Sequence, residues 1–237
     1  MKLFRSIRQN FIIEGNIKRY LLYAVGEILL VMIGISLAFQ VSNWEDNRIK
    51  MNSEIRYYEN IRDQIAGDKT LIQEQMHFNN RLMAQFEYAN EIIETNDRGK
   101  MDTLGIIARK LTNYSDFDRQ GNIYETMVNS GEIKLLRNDK IINGTRELEE
   151  IFMHVNRIEN IHYDAMIRYA APAVTSTIKW STGKIQKPDE LFTYEFQNLI
   201  LVLIQVMEEK DTTYKQAINE IERITELIDQ ELETNKS

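Results

Sequence analysis

One almost uninterrupted apolar stretch constrains the fold of this chain more than any other feature. It covers residues 21–41 and reads LLYAVGEILLVMIGISLAFQV, with Glu27 as its one charged side chain. As an α-helix it would extend about 32 Å, which is enough to cross the hydrocarbon core of a bilayer. We therefore predict a transmembrane helix over residues 20–42.

The charges on the two sides of this stretch differ in sign. Residues 1–43 carry five basic and two acidic side chains, a net charge of +3. Because the whole chain has a net charge of −7, the remaining residues have a net charge of −10. Basic flanks stay in the cytoplasm. We therefore expect residues 1–19 to form a basic amphipathic tail in the cytoplasm and residues 43–237 an acidic extracytoplasmic domain. An acidic domain repels nucleic acid, so no nucleic-acid partner is expected.

A cleavable signal peptide is the alternative interpretation of the same stretch. The small residues of Ser36-Leu37-Ala38 would suit a cleavage site. The length of the apolar region and its glutamate favour a permanent span instead. Both interpretations place most of the chain outside the cytoplasm.

A polar and small-residue face runs along the predicted span. Gly34, Ala38 and Ser42 follow at four-residue intervals, and Glu27 lies seven residues before Gly34. Small residues let helix backbones approach closely, and a carboxyl inside the membrane gains from a hydrogen-bond partner on another helix. These four residues are the predicted helix-packing site, for a second copy or for a partner membrane protein. The alternative is that Glu27 lies shallow enough to meet water and lipid headgroups.

Two segments resemble a known family. Residues 23–28 (Tyr-Ala-Val-Gly-Glu-Ile) and Asn43-Trp44 are similar to the opening of a bacterial family of single-span membrane proteins of unknown function. Ser42 stands where that family usually has asparagine. Residues 123–139 resemble a second family segment, a helix followed by a Ser-Gly turn. The resemblance implies a single-span layout in the bacterial inner membrane, with the bulk of the chain periplasmic, but no reaction or ligand.

The remaining sequence predicts helices. Two prolines and 10 glycines in 237 residues favour an all-α bundle. A helix over residues 44–96 is predicted by an imperfect heptad stripe, which Gly67-Asp68 could interrupt. The stripe consists of Ile55, Tyr58, Ile65, Ile72, Met76, Met83, Phe86 and Ile93.

Capping residues mark further helices. Asn122 with Glu125 predicts a capping box, and Gly131 predicts the end of that helix. Asn138 or Asp139 caps a long helix that Pro172 ends or kinks. Residues 199–207 are too short to span a membrane and are predicted to form a buried core helix. No strand is predicted.

Two Glu-x-x-His pairs are the most specific metal-binding pattern. Glu74–His77 and Glu159–His162 have the spacing that di-iron helical bundles use. However, Glu74 and His77 fall off the apolar stripe, so they would face solvent, and only His162 lies on a core stripe. We therefore interpret the pairs as surface charge pairing plus one core histidine, and predict no metal site.

The other chemical motifs are weaker. Residues 116–123 echo a calcium loop, but its twelfth position is Met127 where a bidentate glutamate is needed. The chain has no cysteine, and it lacks phosphate-binding, dinucleotide and nucleophile motifs. No cofactor and no catalytic residue is predicted.

The sequence favours a membrane-anchored, non-catalytic interaction or scaffold protein that assembles through its span and helical domain. The alternative is a periplasmic ligand-sensing module that signals through a partner, because about 19 cytoplasmic residues are too few for an output domain. A polar pocket between the bundle helices would favour sensing, and a dry aliphatic interior would count against it. A metal-dependent enzyme is the third interpretation.

Overall fold

The computed structural model describes residues 17–119 and 121–234. Most of the predicted cytoplasmic tail, residues 1–16, lies outside this range, as does Gln120 of the calcium-like loop. The chain divides into two compact units, one ending at Glu54 and the other beginning at Ile55.

The described residues are almost entirely helical, which confirms the predicted all-α class. The α-helices are α1 (Ile17–Glu94), α2 (Met101–Ala108), α3 (Ile123–Ser130), α4 (Asp139–Ala165), α5 (Ala171–Thr177) and α6 (Tyr194–Thr234). Short 3₁₀ turns lie at Arg98–Lys100, Arg109–Thr112, Glu132–Leu135 and Pro188–Phe192.

Helix α1 contains the apolar stretch and continues without interruption past Gly67-Asp68 to Glu94. Among the described residues it is the one helix long and apolar enough to cross a membrane. None of its apolar window is buried within the protein, whereas the core helix of a soluble protein would be mostly covered. Its length, its composition and its exposure make it a candidate membrane span.

The second unit uses a heptad stripe on α1 whose main position is the predicted one, with different residues buried between. Tyr58, Ile65, Ile72, Phe86 and Ile93 are buried as expected. Ile55, Met76 and Met83 are only partly buried, and the positions between the correct ones are filled by Ile61, Leu82 and Ala89. Two polar residues, Asp68 and Asn79, are also buried on this seam. Because these two residues are polar, a search for apolar residues did not find the full repeat of buried positions.

The second unit contains two separate hydrophobic cores. The first core combines α1 residues from Tyr58 to Ile72 with α4 residues up to Val155 and α6 residues from Tyr214 onward. The second core combines the C-terminal part of α1 with α2, α5 and α6 residues up to Met207. Helices α1 and α6 therefore contribute to both cores, whereas α4 contributes buried apolar residues to the first.

Local capping signals are confirmed. The Asn122 side chain accepts a hydrogen bond from the Glu125 backbone N–H at 2.9 Å, and Gly131 ends α3 with a φ of 75°. The Asn138 side chain caps α4 by accepting from the Lys140 and Ile141 backbone N–H groups.

Pro172 neither ends nor sharply interrupts the helical path. It stands in the first turn of α5, where a missing N–H is tolerated. A π-helical turn, Met166–Ala170, connects α4 to α5.

One expectation is wrong, and another is confirmed in part. A short antiparallel hairpin pairs Ile178–Lys179 with Lys184–Ile185, although no strand was expected. Two residues per strand are too few to show an alternating pattern.

The segment 199–207 lies within a core helix, as expected, because it is part of α6 and contributes Ile200, Leu203, Ile204 and Met207 to a hydrophobic core. It is not buried throughout, since Leu201 and Val202 face outward.

Asp68 provides a stability test within this fold. Burial raises the pKa of its carboxyl from 3.8 to about 6, although nearby Arg119 opposes the shift and Glu149 adds to it. The folded protein therefore holds a proton that the unfolded chain releases, and stability is lost as the pH rises through about 6. We expect Asp68→Asn to raise the free energy of unfolding at pH 7 by up to about 3 kcal/mol, at about 1.4 kcal/mol per pKa unit.

Urea unfolding of the full chain in mild detergent measures this effect. The gain should vanish below about pH 3.8, where both forms of the chain are protonated. Asp63→Asn is the matched control, because Asp63 lies on the same helix with an exposed side chain. A gain that is the same at both pH values, or the same for Asp63→Asn, would contradict the burial of a charge at Asp68.

Candidate functional site

A layer of polar side chains lies between the two hydrophobic cores, where α1 and α6 pass from one to the other. Helices α1, α4 and α6 and the extended segment after α2 contribute to it. All its members are at most 3% exposed, and they are Asn79, Ser115, Glu159, His162, Lys210 and Tyr214. Such groups are expensive to bury unless they bind one another. This polar layer is the candidate functional site.

Glu159 is the acidic centre of the layer. Its Oε1 atom accepts hydrogen bonds from the Tyr214 hydroxyl at 2.5 Å and from the Phe117 backbone N–H at 2.8 Å. Its Oε2 atom is buried and has no hydrogen-bond partner among the described residues. One oxygen of this carboxyl therefore accepts two hydrogen bonds, and the other accepts none among the described residues.

Lys210 is the basic centre of the layer. Its Nζ donates to the Ser115 carbonyl at 3.1 Å and lies 3.0 Å from His162 Nδ1. Since an ammonium can only donate, Nδ1 must accept and the proton of the neutral imidazole is on Nε2. His162 Nε2 is itself buried without a hydrogen-bond partner among the described residues.

Asn79 connects α1 to the same layer. Its amide nitrogen donates to the Met207 carbonyl at 2.9 Å, and its amide oxygen accepts from the Ser115 hydroxyl at 3.5 Å. The layer therefore links three helices and the extended segment through polar contacts of defined geometry.

Burial shifts the pKa of Glu159, Lys210, His162 and Tyr214, the titratable members of the polar layer. Desolvation raises the pKa of Glu159, despite hydrogen bonds from Tyr214 and Phe117 that favour its charged form. Desolvation lowers the pKa of Lys210 to about 8, against the opposing attraction of Glu159 and Asp116. Desolvation and the Lys210 charge lower the pKa of His162 to about 3. Burial and Glu159 raise the pKa of Tyr214.

A small polar pocket leads from the surface to Glu159. Its volume is about 210 Å³, and its lining residues are Tyr114, Asp116, Asn156, Glu159, Asn160 and Tyr163. Four of them lie on one face of α4, and Tyr114 and Asp116 belong to the extended segment after α2. Glu159 is the one buried member, so it forms the floor of the pocket.

A larger groove of about 780 Å³ lies along α5 and the start of α6. Its lining is mostly apolar, and its charged members, Arg168, Glu190 and Glu195, are all exposed. Because it contains no buried titratable group, it offers less chemistry than the smaller polar pocket.

The predicted packing residues on the span lie in the first unit, which ends at Glu54. Gly34, Ala38 and Ser42 are exposed, and Glu27 is half-buried. A Cβ atom added at Gly34 would meet no described atom within 4 Å.

The two Glu-x-x-His pairs have different surroundings. Glu74 and His77 are exposed, as predicted, and His162 is buried, as predicted. Glu159 was expected at the surface and is instead buried, because the segment 116–117 packs over it. Among the described residues, no group of three or more His, Cys, Asp or Glu side chains could hold a metal ion.

Sequence reasoning missed Glu159 and Lys210. Lys210 precedes Tyr214 by four residues and Glu159 precedes His162 by three, and both intervals place the two side chains on one helical face. A lysine that continues the apolar stripe of Ile200, Leu203 and Met207 was the available signal.

Comparisons with known proteins identify a family but no function. The model of a family described as a family of unknown function (DUF6090) matches residues 27–210. No curated protein and no solved structure matches the chain. The family match covers the candidate span from Glu27, the polar pocket and Lys210.

Proposed function

Since the chain belongs to DUF6090, a family of unknown function, we propose its role from its own residues: it is a membrane-anchored, non-catalytic interaction protein that assembles through its N-terminal span. The observation that carries the proposal is the apolar part of α1, none of which is buried within the protein. A surface this apolar needs a bilayer or another protein to cover it.

The proposed location is the bacterial inner membrane, with the N-terminus in the cytoplasm and the helical bundle in the periplasm. Five basic residues precede the span, whereas Arg48, Lys50 and Arg56 are the basic residues that follow it closely. This asymmetry supports the orientation.

The proposed contact is the span face that contains Glu27, Gly34, Ala38 and Ser42. At about 100° per residue these four positions fall within roughly 80° of the helix circumference. Gly34 offers a flat surface for close backbone approach, and Glu27 offers a carboxyl that gains from a partner across the contact. The partner is a second copy or another membrane protein.

Cross-linking in native membranes, together with size measurement in mild detergent, tests this contact. We expect Glu27→Leu and Gly34→Leu to weaken assembly about tenfold, because interhelical hydrogen bonds and close packing in membranes contribute about 1–2 kcal/mol. Gly26→Leu is the matched control: it adds the same side chain to the same helix, about 100° away from Glu27.

A pull-down from native membranes extends the test to an unlike partner. Loss of captured protein in Glu27→Leu, but not in Gly26→Leu, would support docking to another membrane protein. A strict monomer that captures nothing, and whose behaviour Glu27→Leu leaves unchanged, would contradict the proposal.

Ligand sensing through a partner is the second candidate function. It is favoured by the polar pocket, because the interior between α4 and α6 is not the dry aliphatic one that would count against sensing. A ligand bound at Glu159 would contact the layer that joins α1, α4 and α6, so binding could change how these helices pack.

A further inference from the structure

We propose that the polar pocket on α4 binds a small organic cation, a short primary amine whose ammonium group meets Glu159 Oε2 and Asp116. This inference deepens the second candidate function, ligand sensing, and rests on it. It assigns a chemical class of ligand to a pocket defined by Tyr114, Asp116, Asn156, Glu159, Asn160 and Tyr163.

The first argument for this ligand is the unsatisfied oxygen of Glu159. The Glu159 residue is 3% exposed, and its Oε1 already accepts from Tyr214 and Phe117. Oε2 is left without a hydrogen-bond partner among the described residues, in a residue that forms the pocket floor. A buried acceptor in this position gains from a donor that enters the pocket.

The second argument for a cationic ligand is the charge of the pocket lining. The pocket has two carboxyl groups, Asp116 and Glu159, and no basic side chain in its lining. Lys210, the buried cation of the polar layer, directs its ammonium at the Ser115 carbonyl and His162 instead. The lining therefore favours a positively charged ligand with hydrogen-bond donors.

The aromatic walls and the volume define the ligand further. The rings of Tyr114 and Tyr163 lie 5.4 Å apart at 60° and form a corner of the pocket. Aromatic faces attract organic cations. A volume of about 210 Å³ equals about seven water molecules in the liquid, which suits a chain of a few carbon atoms.

An organic ammonium fits this lining better than a metal ion does. Calcium requires six to eight oxygen ligands, usually with several carboxylates. The described residues include no cluster of three or more acidic, histidine or cysteine side chains suited to a metal. An ammonium requires only a few acceptors, and Glu159, Asp116 and the amide oxygens of Asn156 and Asn160 supply them.

Isothermal titration calorimetry of the full chain in detergent micelles with n-butylammonium chloride tests the inference. We expect saturable binding that n-butanol, a neutral molecule of similar shape, does not reproduce. Glu159→Gln keeps the acceptor for Tyr214 and Phe117 but removes the charge, and should weaken binding at least about tenfold.

Variants at exposed positions keep the inference testable even if Glu159→Gln does not fold. Asp116→Asn should weaken binding, and Asn160→Trp should block the pocket, while both leave the buried layer in place. Asp164→Asn is the matched control, an exposed acidic residue on α4 outside the pocket, paired with Arg168.

Three results would overturn the inference: no saturable binding of n-butylammonium, equal binding of n-butanol, or calcium binding in place of amine binding. An equal loss in Asp164→Asn and Asp116→Asn would also overturn it. Because the titration does not depend on the span contact, its failure would leave the cross-linking result standing, and the reverse also holds.

Discussion

Replacement of Lys210 with methionine is expected to lower the free energy of unfolding by about 2–4 kcal/mol, because two buried acceptors lose their donor and each unsatisfied buried group costs about 1–3 kcal/mol. Methionine has a similar volume but no ammonium group, so the Ser115 carbonyl and His162 Nδ1 lose their donor. The Glu159 carboxyl also loses the nearby positive charge that favours its ionised form. Urea unfolding of the full chain in mild detergent at pH 7 gives the measurement.

Two further variants separate charge from packing. Lys140→Met makes the same change at an exposed helical position and should alter stability by no more than about 0.5 kcal/mol. The double variant Lys210→Met with Glu159→Gln should lose less than the sum of the two single changes, because Glu159→Gln removes the carboxylate charge that the Lys210 ammonium favours. A loss under about 1 kcal/mol for Lys210→Met, or strict additivity in the double variant, would contradict a coupled polar layer.

The second large effect is a loss of folding stability at low pH. Desolvation and Lys210 lower the pKa of His162 from 6.5 to about 3, so the folded protein keeps a neutral imidazole while the unfolded chain takes up a proton near pH 6.5. The stability from this group is complete above pH 6.5 and is lost as the pH falls towards about 3. Between pH 7 and pH 5 the loss is about 2 kcal/mol, at about 1.4 kcal/mol per pH unit below 6.5.

His162→Gln isolates this contribution, because glutamine can accept from Lys210 but does not titrate. We expect its stability relative to the unsubstituted chain to improve by about 2 kcal/mol between pH 7 and pH 5. The raised pKa of Glu159 acts in the opposite direction, but it is present in both proteins and so cancels in the difference. His77→Gln, at an exposed position of α1, is the control. A stability difference that does not change with pH would contradict a buried neutral imidazole.

Features set by a few neighbouring residues could be predicted from the sequence. The apolar run, the Asn122–Glu125 cap, the Asn138 cap and the Gly131 helix end depend on neighbouring backbone groups, and their residue types report them directly. The buried position of His162 followed from its place on the apolar stripe of α4.

Features set by contacts between distant segments could not be predicted. Glu159 is buried because residues 116–117, more than forty positions earlier, pack over it and donate a backbone hydrogen bond. Asp68 and Asn79 resemble breaks in the α1 stripe until their helix is seen against α4 and α6. An argument that expects only apolar residues inside a protein cannot find a polar layer, so the sequence predicted much of the apolar stripe of α1 but not the site.

Labelling of introduced cysteines tests the central claim most directly, namely that α1 crosses the membrane and holds the bundle on the far side. The chain has no cysteine, so Ser6→Cys before the span and Ser181→Cys at the exposed hairpin each add one thiol. The account predicts that a membrane-impermeant maleimide added to spheroplasts labels Ser181→Cys, and labels Ser6→Cys only after permeabilisation. Labelling in the reverse pattern, or release of the protein from membranes by alkaline carbonate, would contradict it.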